Sequence, residues 1–139
     1  MAVSCTVGNN LQYKGAGMSD YLAYRAKIGV PTPSTNTVVQ PEYDSMRPSG
    51  VTNHIGRMHI PDIATVDDDS FDESIRLIDA GLDGAVDRLM TCHPDYLVLG
   101  ISALSVWGGT LQSVESLKKR MQDRAGRNIG VSTAVDGVR

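Results

Sequence analysis

The run Tyr96-Leu97-Val98-Leu99-Gly100-Ile101-Ser102-Ala103-Leu104-Ser105-Val106-Trp107-Gly108-Gly109 decides the fold. Tyr96 to Leu99 is apolar without alternation, the pattern of a strand covered on both faces, as in parallel sheets. It passes directly into small hydroxylated residues and a glycine pair, where a strand end can present backbone donors to a small anion. The stretch holds no acid, base or thiol, so it announces a pocket more clearly than a reaction.

Working outward, Pro94-Asp95 closes a preceding helix over Ser70 to Met90. Its residues Phe71, Ile75, Ile78, Leu82, Val86 and Leu89 follow the spacing of one helical stripe. Ser70-x-x-Glu73 matches a capping box, and Asp67, Asp68 and Asp69 put negative charge at the positive end of the helix dipole. Gly81 and Gly84 cost helicity and suit close packing on a sheet. On the other side, Thr110 to Ala125 shows Leu111, Val114, Leu117 and Met121 on one side, Glu115 and Lys119 as an i, i+4 pair, and Gly126 placed to end the helix. Asn128 to Ser132 reads as a further strand, and Thr133 to Arg139 as the opening of another helix. Upstream, Ile28-Gly29-Val30 reads as a strand ended by Pro31-Thr32-Pro33. Thr35 or Asn36 can cap a short helix through about Met46, and Val51 to Ile60 forms a second strand stopped by Pro61. Strands alternating with helices predict an α/β fold: a four-stranded parallel sheet with helices on both faces and right-handed crossovers. Residues 1–25, rich in turn formers, read as an N-terminal extension, and 26–139 as a single lobe.

A chain of 139 residues suits one core. Its 41% hydrophobic and 21% charged residues are ordinary for a globular protein, and a net charge of −3 gives no footprint for nucleic acid or an anionic membrane. No apolar run reaches the roughly 20 residues of a membrane span, and the first residues lack the pattern of a signal peptide. The expectation is a cytoplasmic protein. Cys5 and Cys92 form no disulfide framework and read as reduced thiols.

In an open α/β sheet, ligands bind outside the carboxyl ends of the strands. Three loops are predicted to meet there: Pro31 to Thr37, Ile101-Ser102-Ala103 with Gly108-Gly109, and Ser132-Thr133. Each is rich in hydroxyls, amides and free N–H groups and leads to a helix start, so a small carboxylate is the natural occupant. No nucleotide-binding glycine motif is present. Hydroxyl-rich loops serve equally as helix caps, and that alternative stands beside the first. His54, His59 and His93 share no metal-ligand spacing, and capping accounts for the run of aspartates, so no metal is expected. Cys92 precedes the third strand and falls at the end opposite the loops. Arg57 and His59 alternate on the second strand toward its carboxyl end, on the pocket face or as solvated edge residues. Trp107 either walls an apolar substrate or packs beside the glycines.

The same loops carry a family resemblance. Ile28 to Thr37, I-G-V-P-T-P-S-T-N-T, resembles the first strand and loop of maleate isomerases in the aspartate/glutamate racemase superfamily. L-G-I-S-A-L-S-V-W-G-G is similar to the third-strand motif of arylmalonate decarboxylases, and Ser132-Thr133-Ala134-Val135 resembles their next strand end. The match spans Lys27 to Arg139 and covers the first, flavodoxin-like lobe of a two-lobed fold. It implies isomerase, racemase or decarboxylase (lyase) chemistry without a cofactor on a small carboxylate or dicarboxylate, using thiols from two lobes. Ser34, Asn36 and Thr37 would be carboxylate contacts and Ser102 an oxyanion-type donor, with Ile101 and Thr133 at the strand ends as further substrate-binding residues. Gly100 stands where the first-lobe cysteine is expected, an arrangement similar to the decarboxylases, whose thiol belongs to the second lobe. Two readings follow: one lobe of such an enzyme, or a non-catalytic carboxylate-binding module that pairs with itself as a homodimer.

Overall fold

The computed structural model describes residues 20–106, 110–126 and 128–138. In chain order the elements are β1 (Ala26–Pro33), α1 (Val39–Met46), β2 (Val51–Met58), α2 (Asp68–Met90), β3 (Tyr96–Val98), α3 (Ala103–Val106), α4 (Leu111–Ala125), β4 (Gly130–Ser132) and α5 (Ala134–Val138). The four strands form one sheet in the order β2-β1-β3-β4, and every pairing is parallel. With right-handed crossovers, the leftward step to β2 and the rightward steps to β3 and β4 put α1 on one face and α2 with α4 on the other.

The core lies beneath α2 and α4. Ile78, Leu82, Ala85, Val86 and Leu89 of α2 and Leu117 and Met121 of α4 are buried in one cluster with Met58, Leu97, Leu99 and Val131, and Val114 of α4 is buried as well. Leu111, assigned to the α4 stripe on spacing, is 60% exposed in the first turn, where the helix has not yet reached the sheet. α2 lies directly on β2, since a Cβ at Gly56 would stand 2.8 Å from the Ala85 carbonyl oxygen. Of the two helix glycines, Gly81 makes the expected close approach, 3.2 Å from the Met58 Cβ, whereas Gly84 faces only the Arg88 side chain.

Three further expectations are corrected. β1 does not stop at Val30 but runs through Pro33, paired to β2 up to Met58. The prolines are tolerated because β1 pairs with β3 only at Ile28 and Gly29, and the Pro31 carbonyl, on the β3 side, accepts from Gly100 N–H at 2.8 Å. Their missing amides thus fall beyond the β3 ladder. The α2 capping box is one turn earlier than Ser70-x-x-Glu73: Asp67 is the cap, accepting from Ser70 N–H at 2.9 Å, and the Ser70 hydroxyl contacts Asp67 N at 3.1 Å. Glu115 pairs with Lys118, and Lys119 with Asp123.

Thr110 caps α4, and Gly126 ends it in the left-handed conformation at φ 66°. Residues 20–25 form a turn around the Asp20 carboxylate, which accepts from Leu22 and Ala23 N–H, and Arg25 N–H donates to the Gly50 carbonyl. Among the described residues no helix is long and apolar enough to cross a membrane.

Candidate functional site

Chain order reverses between β1 and β3, the switch point at which open α/β sheets bind ligands. A cleft of about 570 Å³ lies there. Asn36, Val39 and Tyr43 form one wall, Val98 to Ser102 the floor, and Ser132 to Ala134 with Asp136 and Gly137 the other wall.

Each wall has a local cause. The Asn36 side chain accepts through Oδ1 from Val38 N–H at 3.0 Å and Val39 N–H at 2.8 Å, so it caps α1. Those bonds fix the side-chain oxygen, and Asn36 itself stands on the cleft wall. One turn into α1, Tyr43 is half-buried, and burial pushes its phenol up, so it remains a protonated donor at neutral pH. On the opposite wall Asp136 accepts from Thr133 N–H at 2.8 Å and from the Thr133 hydroxyl at 3.3 Å, and Lys118 Nζ pairs with it at 3.0 Å. The Thr133 amide first, then the Lys118 ammonium, hold the Asp136 carboxyl below its ordinary value.

The floor is pinned at Gly100. Its N–H donates to the Pro31 carbonyl at 2.8 Å, and its carbonyl accepts from the buried Thr32 hydroxyl at 2.9 Å. A Cβ there would lie 2.9 Å from Val30 Cγ1 and 3.1 Å from both the Pro31 oxygen and Thr32 Cβ. Ser102 follows at the exposed lip, its carbonyl accepting from Ser105 and Val106 N–H. Tyr96 crosses the sheet face over Gly130 and reaches Ser132, hydroxyl to hydroxyl, at 2.8 Å.

Of the residues singled out from sequence, Asn36, Ile101, Ser102 and Thr133 line this one cleft, together with Gly100. Ser34 and Thr37 do not. Ser34 is bonded into the fold, its amide donating to the Met58 carbonyl and its hydroxyl accepting from Ile60 N–H, and Thr37 is exposed on the loop. Cys92 sits at the other end of the sheet, its Sγ 3.1 Å from the Leu89 carbonyl. Arg57 reaches under the β1–α1 loop, whereas His59 is exposed past the end of β2. Trp107, Gly108, Gly109, Cys5 and Arg139 lie outside the described residues. Tyr43 and Asp136 were not picked out from sequence. The signal for Tyr43 was its four-residue spacing from Val39, and for Asp136 its place three residues after Thr133, a helix-cap spacing.

Among the described residues the cleft therefore offers neutral polar groups, one neutralised acid and no thiol. No group of three His, Cys, Asp or Glu residues among those described could hold a metal ion.

Neither a protein-family model nor a curated protein sequence matches the chain. Its fold does match solved structures. A cysteine-to-alanine variant of the maleate isomerase Iso from Pseudomonas putida, with maleate, aligns at TM-score 0.61 and 16% identity over 81% of this chain and 46% of that one. A cysteine-to-serine mutant of the Nocardia farcinica maleate cis-trans isomerase, with a covalently bound succinylcysteine intermediate, aligns at TM-score 0.57 and 18% identity over 78% of this chain and 44% of that one. The unsubstituted Pseudomonas putida isomerase gives TM-score 0.57 at 15% identity. At such identities the likeness is one of fold. This chain has the architecture of one lobe of the racemase-like fold and spans less than half the length of the isomerases it matches.

Proposed function

We propose that the chain binds a small carboxylate in the switch-point cleft and serves as one half of a racemase-superfamily catalyst. The observation that carries this reading is that Asn36, Tyr43 and Ser102, all neutral hydrogen-bonding residues, line one cleft, where the acid among the described lining residues is Asp136, whose charge Lys118 balances. Neutral donors held in place by the fold stabilise a carboxylate, and more so an enediolate-like charge developing on it, because they need no reorganisation. The chemistry is of the maleate-isomerase or arylmalonate-decarboxylase type, without a cofactor. Its thiol comes from a second lobe, in keeping with a cleft whose described lining residues include no cysteine.

Asn36→Asp tests the binding step. Aspartate caps a helix as well as asparagine, so stability changes by less than about 0.5 kcal/mol. It also replaces the amide donors with a carboxylate facing the ligand, so maleate or malonate binding followed by NMR falls at least about tenfold. Equal affinity in the two proteins sinks the assignment. Turnover of these acids by the chain joined to a thiol-bearing second lobe tests the catalytic step, and its absence there counts against it.

A second reading, a carboxylate-binding module without turnover, is favoured by the crowding at Gly100, which leaves no room for a side chain at the floor. In this reading two copies pair about a twofold axis and face their clefts to each other. Sedimentation of a compact monomer at high concentration excludes the pairing.

A further inference from the structure

We propose that Arg57 is the positioning residue of the cleft. It clamps the β1–α1 loop in the conformation that presents Asn36 and supplies the positive charge that the cleft lining lacks. The inference rests on the carboxylate-binding reading for its second half only.

The guanidinium rises from the last turn of β2's ladder, where Arg57 pairs with Thr32. Nη1 donates to the Asn36 carbonyl at 2.6 Å and to the Pro33 carbonyl at 3.3 Å, and Nη2 donates to Gln40 Oε1 at 2.8 Å. One planar fork thus spans the end of β1, the loop and the first turn of α1. A loop that leaves a strand through Pro33 and enters a helix capped by Asn36 has its two carbonyls drawn to one point. The direction of the Asn36 side chain follows from that closure.

All three partners are neutral oxygens, and Arg57 forms no ion pair among the described residues. By contrast Arg120 and Arg124 are each matched by aspartates, and Lys118 by Asp136. The charge of Arg57 is therefore uncompensated and stands one residue's breadth behind the cleft wall. Arginine suits this task because its fork bonds several acceptors at fixed angles while remaining charged at every working pH. Among the described residues that line the cleft none is a cation, and Lys118, which reaches Asp136 on the far wall, is already paired there, so the unpaired guanidinium bonded to the Asn36 carbonyl adds positive field to a bound anion.

Two variants of the full chain separate the roles. Arg57→Gln removes charge and fork, and Arg57→Lys keeps the charge but loses the fork. Hydrogen exchange at the Val38 and Val39 amides, which Asn36 holds, is measured without ligand. Both variants are expected to exchange there about tenfold faster than the parent, with α2 and α4 unchanged. Maleate affinity is then measured by NMR at low and at physiological salt. Arg57→Gln is expected to bind about fivefold more weakly at low salt and to lose most of the salt dependence, while Arg57→Lys retains that dependence.

Unchanged exchange at Val38 and Val39 in both variants overturns the clamp. A salt dependence that survives in Arg57→Gln overturns the electrostatic role. If the parent binds no maleate or malonate at all, the carboxylate reading fails, and the exchange experiment alone still judges the clamp. Should Arg57→Gln fail to fold, Arg57→Lys decides the clamp by exchange, and Arg57→Met, uncharged with a similar stem, decides the charge by whether the salt dependence survives in it.

Discussion

A methyl group added at position 100 has nowhere to go. The backbone of Gly100 is one that any residue adopts, so the restriction is space, set by Val30, the Pro31 carbonyl and Thr32. Gly100→Ala is expected to lower stability by about 1–3 kcal/mol, and Gly100→Cys by a similar or larger amount, read as a fall in the urea midpoint. A Gly100→Cys protein as stable as the parent would show that the floor yields, and would make this position open to a thiol. From sequence, Gly100 was legible only as a departure from a resemblance. Its reason lies in a contact with β1 nearly seventy positions away, which no local pattern reports. Asn36 was legible as a helix cap, and the same residue stands on the cleft wall. Ser34, grouped with it in the sequence, lies outside that wall because its hydroxyl is bonded to Ile60 N–H, a partner that only the folded chain supplies.

Helices declared themselves more fully than strands, and the physics of their ends explains where they did not. The stripe of α2 was read correctly, and Leu82, fully buried at its centre, is expected to cost about 2–5 kcal/mol when cut to alanine. Its start was misplaced because Asp67, Ser70 and Glu73 recur every three residues, and each successive pair satisfies the spacing of a capping box. The structure selects the earlier pair, so Asp67→Ala is expected to cost about 1 kcal/mol. Glu73→Ala should cost less than about 0.5 kcal/mol, since its salt bridge to Arg76 is a surface one. Thermal unfolding of the two variants ranks them, and a larger loss at Glu73 would restore the later box. In β1 the prolines do not stop the strand. A proline ends a strand only where a neighbour needs its amide, and beyond the Ile28 and Gly29 pairs the link to the chain after β3 runs through the Pro31 carbonyl and the Thr32 hydroxyl instead.

Across the whole molecule, the α2–α4 pair is laced on its outer side by charge. Arg120 bridges Asp79 and Asp83 at 2.8 Å each, and Arg124 bonds Asp87 one turn further along. Spacing within each helix could not reveal these pairs, because the partners lie some forty positions apart. Carboxylates at the joints of the fold share one property. Asp20, Asp67, Asp87 and Asp136 are all held below their ordinary value of 3.8, by the Ala23 amide, the Ser70 hydroxyl, the Arg124 guanidinium and the Thr133 amide respectively. A carboxyl lowered in the folded state binds protons more readily when unfolded. Its contribution is therefore complete above 3.8 and is lost as pH falls through the lower folded value. The urea midpoint should accordingly hold from neutral pH to about 4.5 and drop steeply below 4. Salt separates the causes, since it screens the exposed Asp87–Arg124 pair but leaves Asp20, held first by the Ala23 amide, largely untouched. At pH 7, Asp87→Asn should remove much of the midpoint's salt sensitivity and spare most of the acid transition. A midpoint that stays level between pH 6 and pH 3 contradicts the assignment of these four carboxylates, and an Asp87→Asn protein with undiminished salt sensitivity places that sensitivity elsewhere on the surface.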